Sequence, residues 1–153
     1  SCAESCTSGF VAKLLTDQSG SSAWFYGGAV TYANEAKIAM LGVRSETLQA
    51  HGAVSEACVL EMAQGMLNRS HTDWALSVSG IAGPDGGSNE KPVGTVWFGF
   101  ASKHRSSAAV KVQLTSYGRD SIRRKASVVA LILASQYIKG ACLLDTVKKW
   151  QYI

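Results

Sequence analysis

The spacing of apolar and polar positions along the chain predicts a succession of short helices and strands. Apolar side chains recur at helical intervals in several segments, each bounded by turn residues. The helices predicted in this way cover 6–16, 34–40, 45–52, a segment after Ser55, and about 120–137. Asn34, Ser45 and Ser55 are the residue types that cap helix N-termini. The segment from Lys139 onward is predicted to be a short helix or a packing arm.

Runs of β-branched, aromatic and alternating apolar residues predict the strands. These runs cover 25–32, 74–79, 93–101 and 108–115, and residues 1–4 resemble the end of a further strand. Strands that alternate with helices are typical of an α/β fold. We therefore expect one domain over residues 1–153, a layered α/β/α arrangement with a central mixed sheet flanked by helices.

Composition supports a globular fold and argues against two functional classes, nucleic-acid-binding proteins and membrane-spanning proteins. Apolar residues make up 46% of the chain and charged residues 17%, which is typical of a packed domain. The net charge of +4 is too small to indicate nucleic-acid binding, although it would suit a small anionic ligand. No apolar run reaches the length of about 18 residues that a membrane span needs.

The four cysteines are irregularly spaced, and we interpret all of them as reduced. Cys58 and Cys142 lie in apolar stretches, where a free thiol packs as a small apolar group. Reduced cysteines and the lack of a signal peptide predict a cytoplasmic protein. Because the chain begins without methionine, we also expect that some N-terminal sequence precedes Ser1.

Three residues near predicted turns could form a nucleophile without histidine or metal. A serine hydroxyl such as that of Ser5 needs an adjacent base to attack a carbonyl. Tyr32 could be that base if the ammonium of Lys37, five residues further on, stabilises its phenolate. The N–H groups that follow Ser5 at a helix start could bind an oxyanion or a phosphate.

Each of the three also has an ordinary structural interpretation. The local sequence alone favours Ser5 or Thr7 as a helix N-cap. Tyr32 could be a half-buried strand residue, and Lys37 a solvated helix residue. The local sequence leaves both interpretations open.

A glycine-rich loop follows the strand predicted at 74–79. It contains four glycines within the eight residues 80–87, and consecutive N–H groups in such a loop can form an anion-binding nest. The loop lacks the Gly-Lys-Ser/Thr ending of a phosphate-binding Walker loop. It is therefore either a ligand loop or a plain long turn.

Two arginines lie one helical turn apart at the start of the helix predicted at about 120–137. Arg119 and Arg123 oppose the helix dipole there, which suggests a phosphate or carboxylate ligand. Alternatively, they form an exposed basic face paired with Asp120. The three histidines have no metal-ligand spacing, so we expect no metal and no cofactor.

Long ordered motifs resemble those of the CinA C-terminal domain family. They are AESCTSG, GSSAWFYGGAVTYANEAK, LGV, HGAVSE and SGIAGPDGGSNEKPVGTVWFGF. The resemblance implies hydrolysis of nicotinamide mononucleotide to nicotinate mononucleotide and ammonia, in bacterial pyridine-nucleotide salvage. It places the family's serine, tyrosine and lysine on Ser5, Tyr32 and Lys37. The expected substrate-binding residues come from the helix start after Ser5, the GSS motif, the glycine loop and the arginine pair. They are Thr7, Ser22, Gly80, Ala82, Gly83, Gly86, Gly87 and Arg119.

The chain departs from the family pattern at two places. Ser8 replaces the first glycine of the usual Thr-Gly-Gly, and we expect it to crowd a ligand at the helix start. The usual Gly-Asp-Arg before the last helix is Tyr117-Gly118-Arg119 here, so the aspartate is missing and the arginine is kept. Larger members carry a molybdopterin-binding-like domain upstream, and none of its activities is transferred to this chain.

Two other functions remain open from the sequence. One is a nucleotide-binding module without catalysis, linked to competence or stress, and the other is an amidase for a different small amide. The expected partner is the small-molecule substrate, without nucleic acid or membrane. A homo-oligomer is possible through apolar tail residues such as Trp150 and Ile153.

Overall fold

The computed structural model describes residues 1–115 and 118–150, with only the backbone of residues 149 and 150. The described chain contains five strands and six helices. The strands are β1 (Cys2–Glu4), β2 (Gly28–Val30), β3 (Trp74–Gly80), β4 (Thr95–Ser102) and β5 (Ala108–Gln113). The helices are α1 (Phe10–Thr16), α2 (Asn34–Leu41), α3 (Ser45–His51), α4 (Glu56–Ser70), α5 (Arg119–Lys139) and α6 (Leu143–Trp150). A single 3₁₀ turn spans Ser21–Ala23.

The strands form one mixed sheet in the order β2-β1-β3-β4-β5. Strand β1 runs parallel to both of its neighbours, with Cys2 opposite Gly28 on β2 and Leu76 on β3. Strands β3, β4 and β5 pair antiparallel. The predicted mixed sheet is confirmed.

Alternation along the strands sends side chains to two apolar layers, one on each face of the sheet. Cys2, Leu76 and Phe100 join the cluster that includes residues of α1 and α5. Their neighbours Ala3, Ala75 and Ala101 join the cluster that includes residues of α2 and α4. The layered α/β/α arrangement is therefore confirmed.

The connections around β1 create a crevice at one end of the sheet. The chain leaves β1 for β2 on one side, and after β2 it returns across the sheet to β3 on the other side. In open α/β sheets, ligands bind outside the carboxyl ends of the strands at such a switch point. Ser5 follows the end of β1, and Gly80 ends β3.

Several element boundaries differ from the sequence prediction. Helix α1 begins at Phe10 instead of residue 6, because the preceding residues form a turn closed by Ser8 N–H to Ser5 O. Strand β2 has three residues instead of the eight predicted over 25–32. Helices α2 and α3 begin where predicted, but neither Asn34 nor Ser45 caps its helix, since each lies inside the first turn.

The Ser55 cap and the C-terminal elements complete the fold. Ser55 Oγ accepts the N–H of Cys58, so the predicted cap of α4 is confirmed. The segment after Lys139 forms α6, with Leu143 buried against the core. The tail contacts predicted for Trp150 and Ile153 lie outside the described side chains.

All four cysteines are free, and Cys142 is exposed instead of packed as the sequence predicted. It lies just beyond the end of α5, where its side chain faces solvent. Across residues 1–115 and 118–150, no helix is long and apolar enough to cross a membrane.

Candidate active site

Ser5 lies at the first position after β1, in a turn that leads into α1. Its N–H donates to Val78 O on β3 at 3.0 Å, which extends the strand pairing by one residue. The side chain is buried, and the residue lines a cavity at the carboxyl end of the sheet. We call residues 5–9 the Ser5 turn.

Lys37 projects from α2 towards the Ser5 turn. Its Nζ lies 3.1 Å from Ser5 Oγ and donates to Thr31 O at 2.8 Å and to Tyr32 O at 3.1 Å. The residue is only 1% exposed. The interpretation of Lys37 as a solvated helix residue is therefore wrong.

Burial shifts the pKa of Lys37. Desolvation lowers the pKa of the Lys37 ammonium, and the more distant Cys58, Cys6 and Glu35 oppose this effect. No salt bridge found within the described chain includes Lys37. Its partners are a hydroxyl and two carbonyl groups, which can hydrogen-bond a neutral amine as well as an ammonium.

Tyr32 occupies the mouth of the cavity. The predicted pairing of its hydroxyl with Lys37 is not found. Arg119 Nη2 donates to Tyr32 Oη at 2.7 Å, and Lys37 meets only the backbone carbonyl of Tyr32. The Tyr32 side chain is exposed, because it follows an edge strand. The expected tyrosinate held by lysine is thus replaced by a direct serine–lysine contact.

The cavity at the carboxyl end of the sheet has a volume of about 190 Å³. Six of the residues proposed from the sequence line it: Ser5, Tyr32, Lys37, Gly80, Ala82 and Arg119. The cavity is also lined by residues that were not predicted from the sequence, among them Asn34, Ala53, Val54 and Ser79. Of these, Ser79 Oγ donates to Ala53 O at 2.7 Å, which ties the segment before α4 to the end of β3.

The glycine loop contributes less to the cavity than the sequence predicted. Gly83 reaches the site only through its carbonyl, which accepts Arg119 Nη1 at 2.8 Å, while Gly86 and Gly87 are exposed and lie outside the cavity lining. A Cβ on Gly83 or Gly87 would crowd Val93. These two glycines therefore allow a close backbone approach to Val93.

Two other expected substrate contacts are also outside the cavity lining. Thr7 is a fully buried residue of the Ser5 turn, and its backbone O lies 3.5 Å from Arg123 Nη2. Ser22 is exposed on the 3₁₀ turn, away from the carboxyl end of β1. Neither Thr7 nor Ser5 caps α1, whose N-cap position is Gly9.

Ser8 fits the position where the family has glycine without entering the cavity. Its φ of 47° lies in the left-handed region, which glycine adopts with the least strain. Both its N–H and its hydroxyl donate to Ser5 O, each at 3.1 Å. Ser8 does not line the cavity, and the crowding of a bound ligand by Ser8 stays a prediction. Tyr117, the second departure, lies outside the described residues.

Arg123 and Glu4 hold the Ser5 turn in place, a role the sequence analysis did not assign. Arg123 Nε donates to Cys6 O at 3.0 Å, and its guanidinium lies over the Phe10 ring. The Glu4 carboxylate accepts N–H groups from the start of α1. Local sequence could not predict the contact between Arg123 and Cys6, because these residues are 117 positions apart.

The adjacent thiol is not set up as the nucleophile. Burial raises the pKa of the Cys6 thiol to about 12, so Cys6 remains protonated near neutral pH. Within the described chain, no group of three or more His, Cys, Asp or Glu residues could hold a metal ion.

Similarity to known proteins shows the family of the chain. Residues 1–138 match the CinA C-terminal domain. The chain belongs to that family. It is 60% identical over 129 residues to the nicotinamide-nucleotide amidohydrolase PncC of Escherichia coli K12, covering 84% of this chain and 78% of the relative. The enzyme of the same name from Enterobacter agglomerans is 55% identical over 140 residues, covering 91% of this chain and 85% of the relative.

Solved structures share the fold. A competence damage-inducible protein A from Klebsiella pneumoniae superposes with a TM-score of 0.85 at 40% identity, covering 90% of this chain and 84% of that one. A competence/damage inducible protein from Agrobacterium tumefaciens gives a TM-score of 0.80 at 45% identity, covering 88% and 84%.

Proposed function

We propose that the chain hydrolyses the carboxamide of nicotinamide mononucleotide to nicotinate mononucleotide and ammonia, with Ser5 as nucleophile and Lys37 as base. Relatives at 55–60% identity are amidohydrolases of nicotinamide nucleotides, which supports the substrate. A reaction on a small nucleotide suits a cytoplasmic enzyme of pyridine-nucleotide salvage, and the proposed partner is this substrate alone.

The observation that carries the mechanism is the position of Lys37 Nζ, 3.1 Å from Ser5 Oγ. A neutral amine has two hydrogens and one lone pair. The carbonyls of Thr31 and Tyr32 accept the two hydrogens, which directs the lone pair to the Ser5 hydroxyl. Burial favours this neutral form. Lys37 is thereby activated as a base for Ser5 without an intervening residue.

The proposed reaction proceeds through an acyl-enzyme. Lys37 takes the Ser5 proton as Oγ attacks the carboxamide carbon, which gives a tetrahedral oxyanion. The Lys37 ammonium then transfers that proton to the leaving nitrogen, the C–N bond breaks, and ammonia departs. Neutral Lys37 next deprotonates a water that attacks the ester, and the proton returns to Ser5 as nicotinate mononucleotide is released.

We assign the oxyanion contact to the N–H of Cys6. This residue follows the nucleophile and lines the cavity. Among the described residues, the N–H groups of Ser5 and Ser8 donate to backbone carbonyls, whereas no backbone carbonyl accepts the N–H of Cys6 or Thr7. An oriented donor of this kind typically accelerates acyl transfer by roughly 10²–10³-fold.

The remainder of the nucleotide lies towards the cavity mouth in this proposal. A cavity of about 190 Å³ is smaller than the roughly 300–1,000 Å³ of pockets that enclose a whole ligand. The carboxamide end therefore enters beside Gly80 and Ala82, and the phosphate lies outside near Tyr32 and Arg119. The Arg119 guanidinium is suited to a phosphate by charge and geometry.

The decisive experiment measures ammonia release from nicotinamide mononucleotide by the purified protein, with and without EDTA. We expect release under both conditions, because Lys37 is the proposed base. Ser5→Ala should reduce kcat by at least about 10³-fold with little change in substrate affinity. Ser45→Ala, an exposed serine on α3, is the matched control and should retain activity.

The other outcomes separate the remaining functions. Folded protein that binds the nucleotide but releases no ammonia indicates a binding module. Release from a different small amide alone indicates another amidase. A larger loss in Ser22→Ala than in Ser5→Ala makes Ser22 the nucleophile and contradicts the proposed dyad.

A further inference from the structure

Glu4 is a buried acid beside the nucleophile that the proposed reaction does not use. It is 1% exposed, the last residue of β1, and immediately precedes Ser5. No salt bridge among the described residues includes it. A buried carboxylate without a cationic partner is costly unless hydrogen bonds satisfy its oxygens.

Three backbone N–H groups at the start of α1 provide those bonds. Glu4 Oε2 accepts from Gly9 at 2.9 Å and Val11 at 3.1 Å, and Oε1 accepts from Ala12 at 2.8 Å. The N-cap position of α1 is Gly9, which has no side chain to cap the helix. The Glu4 side chain, at the end of β1, therefore caps the N-terminus of α1 in place of an N-cap side chain.

The same residue also holds the other end of the Ser5 turn. Its backbone O accepts the N–H of Thr31 at 2.8 Å, and its backbone lies between β2 and β3 in the sheet. The Ser5 turn is thus a loop of five residues held at its start by the Glu4 backbone and at its end by the Glu4 carboxylate. Within the loop lie Ser5 Oγ and the N–H of Cys6.

A carboxylate suits this position better than its neutral isostere. Both oxygens of an ionised glutamate only accept hydrogen bonds, whereas the amide nitrogen of glutamine only donates. A glutamine at position 4 would leave one or two of the three N–H groups facing another donor. The end of the loop would then shift, and Ser5 with it.

We propose that Glu4 is a positioning residue, whose carboxylate orients the Ser5 turn so that the Ser5 hydroxyl meets Lys37 and the N–H of Cys6 faces the scissile group. This inference rests on the proposed function for its reaction. It predicts that the charge of Glu4 matters for turnover more than for the binding of substrate.

The test compares Glu4→Gln with Glu61→Gln. Glu61 serves as the control because its carboxylate also accepts a backbone N–H, that of Arg44 at 2.9 Å, and the Thr47 hydroxyl at 2.7 Å. It also pairs with the Arg44 guanidinium, and it lies on α4 outside the cavity lining. We expect Glu4→Gln to lower kcat at least 10-fold with KM within about 2-fold. Glu61→Gln should keep both constants within about 2-fold, at temperatures where circular dichroism shows both variants folded.

A second readout measures the Ser5 turn without the substrate. The rate at which phenylmethylsulfonyl fluoride sulfonylates Ser5, followed by mass spectrometry, should fall in Glu4→Gln by about the same factor as kcat. If Glu4→Gln does not fold, Glu4→Asp replaces it. Aspartate keeps the charge, but its side chain is one methylene shorter and holds the carboxylate farther from the three N–H groups. We expect kcat to fall by several-fold or more in this variant.

Two results would overturn the inference. One is a Glu4→Gln protein that melts at lower temperature but retains its kcat and labelling rate, which would make Glu4 a structural cap alone. The other is an unchanged kcat in a folded Glu4→Asp. A wild-type protein that releases no ammonia contradicts the proposed function instead, and the labelling comparison then still tests Glu4.

Discussion

At the scale of the residue, the burial of Lys37 leads to a prediction about pH. Only the neutral amine can take the Ser5 proton, so kcat/KM should rise with pH as Lys37 is deprotonated. Because burial lowers the pKa of Lys37, this rise should occur below the range of an ordinary lysine. Activity should be lost as pH falls through the lowered pKa. The measurement is a pH profile of ammonia release with the wild-type protein.

Lys37→Arg sharpens this prediction, since a guanidinium keeps its proton throughout the accessible pH range. We expect a loss of at least about 10³-fold at every pH, because the position would hold charge without a base. Substantial activity in this variant, or a wild-type profile without a rising limb, would exclude Lys37 as the base.

Tyr32 gives a second prediction that separates the two candidate bases. Its hydroxyl accepts from Arg119 and not from Lys37, so Tyr32→Phe removes a contact at the cavity mouth. We expect KM to rise and kcat to fall by no more than about 10-fold. A loss of kcat comparable to that of Ser5→Ala would instead restore Tyr32 as the base. Steady-state kinetics on the two variants decides between these outcomes.

The sequence identified both members of the proposed dyad but not the contact between them. Motif resemblance was sufficient to name Ser5 and Lys37. The spacing of five residues between Tyr32 and Lys37 could not show that the lysine ammonium meets the backbone carbonyl of Tyr32 instead of its hydroxyl. That direction depends on how α2 packs against the rest of the fold, a contact between residues distant in sequence.

At the scale of the element, the position of α2 depends on a glycine in α4. A Cβ on Gly65 would overlap the backbone carbonyl of Leu41, the last residue of α2. Gly65→Ala should therefore destabilise the protein by about 1–3 kcal/mol, as overpacking commonly does, although alanine favours helix. Because α2 carries Lys37, kcat should fall as well.

The control for Gly65→Ala is Gln64→Ala on the exposed side of the same helix, which should change stability by no more than about 0.5 kcal/mol. Urea denaturation and ammonia release measure the two effects. A Gly65→Ala variant as stable and active as the control would show that α2 can move away from α4 at little cost.

Helix starts show how much of an element's structure local sequence can predict. Ser55 and Ser45 belong to the same preferred residue type, yet only Ser55 caps its helix. The Ser45 hydroxyl donates to Glu46 instead. At α1, the capping group comes from Glu4 outside the helix. Residue preference predicts that a helix begins nearby, whereas the donor and acceptor that complete its first turn depend on tertiary packing.

At the scale of the whole molecule, sequence alternation predicted the layers, but the strand order required pairing between distant segments. Strand β1 pairs with β3, more than 70 residues later in the chain. This pairing brings the Ser5 turn beside Gly80 and creates the crevice at the switch point. The motifs named the residues on both sides of the crevice, and the sheet topology explains why they meet.

The cavity joins the end of β1, α2, the end of β3 and the start of α5, so a bound nucleotide should stabilise the whole fold. Ser5→Ala allows the substrate itself to be used, because turnover is removed while the other contacts remain. At a nicotinamide mononucleotide concentration of 100 times Kd, linkage adds about 2.7 kcal/mol, or roughly 5–10 °C in Tm for a domain of this size.

Nicotinamide at the same concentration should raise Tm much less, because it lacks the phosphate proposed to meet Arg119. Arg119→Ala in the Ser5→Ala background should make the rise in Tm with nicotinamide mononucleotide more similar to the rise with nicotinamide. Calorimetry with both ligands measures these shifts. Equal stabilisation by nicotinamide and its nucleotide would mean that the phosphate makes no useful contact, and the absence of any shift would place the substrate away from this cavity.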